Sequence, residues 1–229
     1  MSNDLVVTPI TGIGEVRSGD DLAALVTEAI GAGELHDDDV VVIAHKAVSK
    51  SEGRVVPATS RLETALAESR RVLRRAGDMV ISETHHGFVC ANAGVDASNV
   101  EGDNVVLLPR DPDLSARRLR TRIRRLTGAR VAVVISDTFG RAWRLGQTNV
   151  AIGVAGMDPF VDLRGRQDAQ GRVMTATLIC VADEIAGAAE MVMGKTEGVC
   201  AARVRGVRFV PASGAAAAIV RPAREDLFR

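Results

Sequence analysis

The chain has 229 residues, of which 46% are apolar, and its 29 acidic residues balance 29 basic ones. This composition supports a sizeable core, and the charge balance argues against a dedicated nucleic-acid surface. The three cysteines lack the short spacings of a disulfide or zinc framework, and no signal peptide or membrane span is recognisable, so a protein of the cytoplasm is expected.

Hydrophobic periodicity and turn residues predict alternating helices and strands. In chain order they are strand Leu5–Pro9, helix Asp20–Ala32, strand Asp39–Ala44, polar loop His45–Arg54, helix Ser60–Ala76, strands Met79–Glu83, Phe88–Ala91 and Asn104–Leu108, helix Leu114–Leu126, strands Arg130–Ile135, Val150–Val154 and Val173–Val181, helix Ala182–Met193, and strands Val199–Val204 and Ala215–Val220. Strands and helices mix without a strict βαβ rhythm, which favours an α+β fold.

Two aspartates stand in segments rich in small residues. Asp96 and Asn99 lie about one turn apart, and Asp137 and Thr138 directly follow a buried strand, at the end where open sheets bind ligands. Carboxylate and hydroxyl oxygens suit a hard cation such as Mg²⁺ or Mn²⁺. The simpler interpretation is that both aspartates are turn or capping residues.

Two further segments have the residues of a phosphate site. Lys46 and Lys50 lie in the polar loop that also contains Gly53, and Gly194–Gly198 combines glycines with Lys195. Backbone N–H groups and a lysine bind anions, although Gly194 can equally be a helix C-cap with a solvated lysine beside it.

Several other features have weaker signals. The helix Leu114–Leu126 has six arginines that can contact RNA but are more typical of a solvated helix face. His85 and His86 are adjacent, and metal binding by either is the less favoured interpretation. Cys90 is expected to be a buried apolar residue.

Long ordered segments resemble the coenzyme F420:L-glutamate ligase family. They include HKAVSKSEGR (His45–Arg54), HGFVCANAGVDASNV (His86–Val100), LLPRDPDLSARRLR (Leu107–Arg120) and VVISDTFGRAWRLGQTNVAIGVAG (Val133–Gly156). The resemblance implies one domain over residues 1–229, with a two-lobed mixed α/β fold that forms an intertwined homodimer. It also implies a GTP-dependent reaction in which a carboxylate of the F420-0 precursor becomes an acyl phosphate and is attacked by the amine of L-glutamate.

The resemblance also implies cofactors and residue roles. Two divalent cations (Mn²⁺ or Mg²⁺) and a response to K⁺ are expected, with Asp96 and Asp137 at one ion, Thr138 at the second, and either Lys195 or Glu197 facing that second ion. The expected nucleotide contacts are Ile13, Gly14, Glu15, Val16, His45, Lys46, Lys50, Asn99, Gly194, Lys195 and Thr196. Lys46, Lys50 and Arg141 can stabilise charge on the transferred phosphoryl group.

Two rival classes remain open. A metal-dependent phosphohydrolase or kinase can use the same aspartates on another phosphorylated substrate. A non-catalytic regulatory or RNA-binding module can use the basic helix instead.

Overall fold

The computed structural model describes residues 4–58, 60–98, 100 and 102–227. Its strands are β1 (Val6–Ile10), β2 (Val40–Ala44), β3 (Val55–Pro57), β4 (Ser69–Ala76), β5 (Met79–Thr84), β6 (Val89–Ala91), β7 (Asn104–Val106), β8 (Ala132–Arg141), β9 (Arg144–Ala155), β10 (Val161–Asp162), β11 (Leu178–Ile179) and β12 (Ala201–Arg205). Its helices are α1 (Leu22–Ile30), α2 (His45–Ser51), α3 (Arg61–Ala67), α4 (Pro112–Thr127) and α5 (Val181–Met193).

A five-stranded mixed sheet in the order β1-β12-β2-β8-β9 forms the centre of the fold. Only β2 and β8 pair in parallel within it, whereas the other neighbours pair antiparallel. The sequence of β2 is VVVIA, and a continuous run of β-branched residues suits a strand that is covered on both faces.

The two faces of this sheet bury separate cores. Because successive side chains of a strand point to opposite faces, Val41 and Ile43 pack on the side of α1 and α4, and Val40 and Val42 pack on the side of α5. Helices on both sides therefore fix the direction and the register of β2 and β8, the two strands that lead into the candidate site.

A smaller unit lies beside the central sheet. Strands β4, β5 and β6 form an antiparallel sheet, β3 pairs with β7, and a third core packs under α3. The residues of that core are Ala65, Val80, Val95, Val105 and Leu107. The mixed elements confirm the α+β class, while the two-lobed shape and the intertwined dimer stay predictions.

Four predicted elements differ from the structure. The segment His45–Arg54, predicted as a loop, begins as helix α2, because the helix buries the side chains of Ala47 and Val48. The predicted strand Val173–Val181 shrinks to β11, since Val181 already starts α5. The predicted last strand Ala215–Val220 is a 3-10 turn over Ala216–Ile219.

The fourth difference is the helix predicted over Ser60–Ala76. The capping signal was right, because Ser60 Oγ accepts the backbone N–H of Glu63 at 3.3 Å. However, α3 ends at Ala67, and the rest is strand β4, paired with β5 through the two-residue turn Gly77-Asp78. Gly77 has a positive φ of 59°, as tight hairpin turns require, and cross-strand pairing outweighs the helix propensity of the Arg and Leu residues.

Within the described ranges, no helix is both long enough and apolar enough to cross a membrane.

Candidate active site

One cavity of about 550 Å³ gathers segments that are far apart in the sequence. It is lined by residues 14–16, 44–47, 50, 96, 98, 136–138, 147, 149, 190, 193–196 and 198–200. The loop before α1, the ends of β2 and β8, the start of α2 and the loop after α5 therefore meet at a single place.

Parallel pairing explains why His45 and Asp137 are neighbours. Ala44 of β2 is in register with Ser136 of β8, so the next residue of each strand reaches the cavity at the same sheet edge. His45 Nε2 lies 3.1 Å from Asp137 Oδ1. Within the described residues neither ring nitrogen of His45 has a hydrogen-bond partner, although the residue is only 2% exposed.

Asp96 is positioned at the cavity by a tight turn. The 3-10 turn Asn92–Gly94 has positive φ at all three residues, and Asp96 then exchanges two backbone hydrogen bonds with Val106. A Cβ on Gly94 would lie 2.7 Å from Leu108 Cγ, closer than side-chain packing allows. Only glycine fits there, and this close approach fixes where the Asp96 carboxylate faces the cavity.

The lysines of this chain are confined to the cavity. Of the 29 Lys and Arg residues only three are lysines, and all three line it. Each ammonium contacts a carboxylate: Lys46 Nζ lies 2.8 Å from Asp96 Oδ2, Lys50 Nζ 2.5 Å from Glu15 Oε1, and Lys195 Nζ 3.0 Å from Glu190 Oε1. The cavity wall thus alternates positive and negative groups that an anionic ligand or a cation can engage.

The electrostatics of Asp96 follow from these partners. Burial alone would raise its pKa, but hydrogen bonds from Lys46 and from the backbone and side chain of Ser98 reverse the effect and lower the pKa below its ordinary value. The carboxylate is therefore ionised at neutral pH and can bind a cation.

A polar network in the cavity wall includes Asn149 and Glu190, two residues to which the sequence alone assigned no role. Thr138 and Asn149 face each other across β8 and β9, and Thr138 Oγ1 donates to Asn149 Oδ1 at 2.6 Å. Asn149 Nδ2 donates to Glu190 Oε2 at 2.8 Å, and Lys195 Nζ donates to Thr138 Oγ1, which closes the ring. Glu190 was missed because one acidic residue on an Ala-rich helix normally indicates a solvated position.

The structure brings most of the predicted site residues together. Those that line the cavity are Gly14, Glu15, Val16, His45, Lys46, Lys50, Asp96, Asp137, Thr138, Gly194, Lys195 and Thr196.

The remaining predicted residues lie elsewhere. Ile13 packs against the main core, Arg141 Nη2 donates to the Leu145 carbonyl near the tip of the β8–β9 hairpin, and Glu197 accepts the Thr196 hydroxyl. Asn99 lies outside the described residues.

His85 and His86 line a different cavity of about 630 Å³. His86 Nε2 lies 2.9 Å from the Pro109 carbonyl, and both histidines are absent from the lining of the lysine-bearing cavity.

The donor set fits one divalent cation. In the described part of the chain, no three His, Cys, Asp or Glu side chains are grouped closely enough to hold a metal by themselves. Asp96 and Asp137 nevertheless supply two carboxylates, and Mg²⁺ commonly takes one or two carboxylates and completes its shell with phosphate oxygens and water. The side chains are 32% and 12% exposed, so both remain accessible from the cavity.

The donors do not fit a second divalent cation equally well. The Thr138 hydroxyl is already bonded to Asn149 and to the Lys195 ammonium, which also pairs with the nearby carboxylate of Glu190. The Lys195 ammonium therefore contacts the hydroxyl that was expected to bind the second ion.

A concave site with convergent charged groups at the carboxyl edge of two parallel strands is the arrangement of an enzyme. Sequence similarity identifies the kind of enzyme. The family model described as F420-0:Gamma-glutamyl ligase matches residues 12–61 and 57–206.

Curated relatives extend the match over nearly the whole chain. The protein from Methanothermobacter thermautotrophicus is 41% identical over 96% of this chain and 97% of its own, and that from Methanopyrus kandleri is 41% identical over 98% of both. The protein from Methanocaldococcus jannaschii is 37% identical over 89% of this chain and 90% of its own. All three are named coenzyme F420:L-glutamate ligase. The chain therefore belongs to the F420-0:gamma-glutamyl ligase family and is a ligase.

Proposed function

We propose that this chain uses GTP to join L-glutamate to the coenzyme F420-0 precursor. The precursor and L-glutamate follow from the descriptions of the matching family and of relatives that align with almost the full chain. GTP is the nucleotide that the resemblance of the sequence implies. The observation that carries the proposal is the cavity itself, where all three lysines and the carboxylates of Asp96 and Asp137 face the same space.

The proposed reaction has two steps. A carboxylate oxygen of the precursor attacks the γ-phosphorus of GTP, the bond to the β-phosphate oxygen breaks, and GDP leaves with that electron pair. The amine of glutamate then attacks the resulting acyl phosphate, inorganic phosphate departs, and the nitrogen loses a proton to leave an amide. No covalent bond to the protein forms in either step.

The lysines suit the phosphate groups in this scheme. An ammonium group is a compact point charge for phosphate, and Lys46 and Lys50 follow the β2 edge on the first two turns of α2. Binding of a nucleotide would exchange their carboxylate partners for phosphate oxygens, with Glu15 left mainly in water because its side chain is 68% exposed.

Asp96 and Asp137 are the residues that would hold a divalent cation. When bound, such an ion neutralises phosphate charge during phosphoryl transfer. The lowered pKa of Asp96 and its accessibility support this role. A response to K⁺ stays a prediction.

The cysteines are poorly suited to act as nucleophiles in this reaction. Burial, with a smaller effect of the Asp137 charge, raises the pKa of the Cys90 thiol to about 12, and burial also raises the pKa of Cys200, which lines the cavity. A thiol that is reactive at neutral pH has a lowered pKa, so the substrate carboxylate is a better phosphoryl acceptor than either of these thiols.

Mass spectrometry of F420-0 incubated with the protein, GTP, Mn²⁺ and L-glutamate tests the proposal. We expect one or more glutamyl units on the precursor, together with GDP release that depends on glutamate. GDP release without any need for glutamate, and no glutamylated product, would instead favour a phosphohydrolase or kinase.

We also propose that the enzyme works as an intertwined homodimer with two-lobed protomers. The β8–β9 hairpin supports this, because its tip exposes Trp143 and Leu145 at 79% and 97%, and large exposed apolar side chains are typical of interaction sites. Light scattering should give twice the 24.2 kDa chain mass. A folded monomer at micromolar concentration contradicts the dimer and leaves the proposed chemistry standing.

A further inference from the structure

Lys195 holds a position that differs from that of the other two lysines. Its ammonium contacts Glu190 Oε1 at 3.0 Å and donates to the hydroxyl of Thr138, the residue expected at a second cation. Thr138 and Glu190 are also joined through Asn149. The ammonium therefore already interacts with the two oxygen groups that a cation between β8 and α5 would use.

The charges of this cluster are balanced without any metal. Glu190 carries one negative charge, Lys195 one positive charge, and Thr138 and Asn149 are neutral. A divalent ion at the same oxygens would meet a positive group at close range, and the carboxylate of this cluster, that of Glu190, is already paired with Lys195. Hard cations need anionic oxygen donors, so the cluster has little to offer a second ion while Lys195 is in place.

The choice of lysine fits this role. The chain uses arginine for nearly all its basic positions and retains lysine at three places only, each of them at the cavity. An ammonium is compact and can approach a hydroxyl and a carboxylate together as a metal ion does, whereas a guanidinium is a planar fork that demands more room.

We propose that the Lys195 ammonium takes the place of the second cation, so that each protomer binds one divalent ion instead of two. The one remaining ion is the one assigned to Asp96 and Asp137. This inference rests on the proposed function, because that function supplies the expectation of two ions. It also gives Glu190 and Asn149 a purpose, which is to hold Lys195 against Thr138.

Counting bound Mn²⁺ tests the inference without using activity. The protein is titrated with Mn²⁺ at a constant, saturating GDP concentration, and free Mn²⁺ is followed by its electron paramagnetic resonance signal against a GDP-only blank. We expect one Mn²⁺ per protomer for the unmodified chain. A count of two overturns the inference, and this measurement needs no variant to fold.

Two variants sharpen the count. Lys195→Gln removes the charge and leaves Glu190 unpaired, so a second Mn²⁺ should bind. The double variant Lys195→Gln/Glu190→Gln removes the anionic donor as well and should return to one. Substitution is expected to be tolerated because the Lys195 side chain is 55% exposed, and circular dichroism checks the fold. If Lys195→Gln still binds a single ion, Lys195 does not replace a cation.

The two proposals fail in different ways. Two ions per protomer together with glutamylated product would remove the single-ion inference and leave the ligase. One ion per protomer with no glutamate-dependent product would remove the proposed reaction and leave the metal count intact.

Discussion

Replacing Lys50 by alanine separates a structural ion pair from a phosphate contact. In the structure Lys50 Nζ pairs with Glu15, whose side chain is 68% exposed, so water can solvate the carboxylate once the lysine is gone. The Lys50 side chain itself is 13% exposed, so Lys50→Ala also removes the packing of its apolar stem, and we expect the free energy of unfolding to fall by about 0.5–3 kcal/mol.

GTP binding should also weaken. A hydrogen bond to a charged group contributes about 1.5–3 kcal/mol, and each 1.4 kcal/mol is a factor of about ten in affinity. The half-saturating GTP concentration should therefore rise about 10- to 150-fold in a glutamylation assay at saturating precursor, with little change in the Mn²⁺ requirement, because Lys50 does not contact Asp96 or Asp137.

Glu34→Gln is a control for the loss of an ion pair outside the cavity. Arg203 Nη1 lies 3.4 Å from Glu34 Oε2, and the two side chains are 14% and 63% exposed, close to the 13% and 68% of the Lys50–Glu15 pair. Loss of this pair should alter the free energy of unfolding by about 0–1 kcal/mol and leave GTP dependence unchanged. The reasoning about Lys50 is refuted if its variant keeps a half-saturating GTP concentration within about twofold of the unmodified enzyme, or if the Mn²⁺ requirement moves instead.

Three further predictions have defined outcomes. Asp137→Asn should abolish turnover and leave the circular dichroism spectrum intact, because it removes one of two carboxylates for a hard cation; near-normal Mn²⁺-dependent turnover contradicts this role. The pKa of Asp96 is lowered in the folded chain, so its pair with Lys46 stabilises the fold above the unfolded value of about 3.9 and loses that effect as pH falls through the lower folded value. Lys46→Met should therefore lower the melting temperature at neutral pH and make the melting temperature fall less steeply as the pH is lowered. If the melting temperatures of the variant and of the unmodified protein fall in parallel in acid, the pair does not have this effect. Gly94→Ala should reduce the free energy of unfolding by about 2–4 kcal/mol, because the new methyl group overpacks the core and because φ is positive at this position. Gly77 also has a positive φ but has open space around it, so Gly77→Ala should reduce the free energy of unfolding by only about 1–2 kcal/mol. Equal denaturation midpoints for the two variants would refute the packing argument.

Local sequence predicted the parts of the fold that local physics decides. The apolar run before Ala44 and the run before Ser136 are both buried strands, and the charged residues that follow them both reach the cavity. Such patterns do not predict which strand lies next to which in the sheet. The pairing of β1 with β12 joins opposite ends of the chain, and no local signal specifies such a contact.

The segments that were missed show which forces prevail over local preference. Ser69–Ala76 has four arginines and one leucine, which favour helices, yet it pairs with β5 because the Gly77 turn returns the chain antiparallel. The helix that contains Glu190 was predicted correctly, but the role of Glu190 was not. Its partners come from β9 and from the loop after α5, which are distant in the sequence or outside the helix. Propensity identifies the element, and tertiary contact decides what its polar side chains do.

Because its lysines are confined to the cavity, this enzyme should react with amine-directed reagents mainly at that cavity. Apart from the α-amino group, every primary amine of the chain lines the same cavity. Succinimidyl esters, aldehydes and pyridoxal-type reagents would thus act as affinity labels without any designed recognition element, and nucleotide should shield the protein from them. Coupling to an amine-reactive resin would attach the protein through the lysine-bearing cavity, so a support that reacts with carboxylates remote from this cavity is the better route to an immobilised active catalyst.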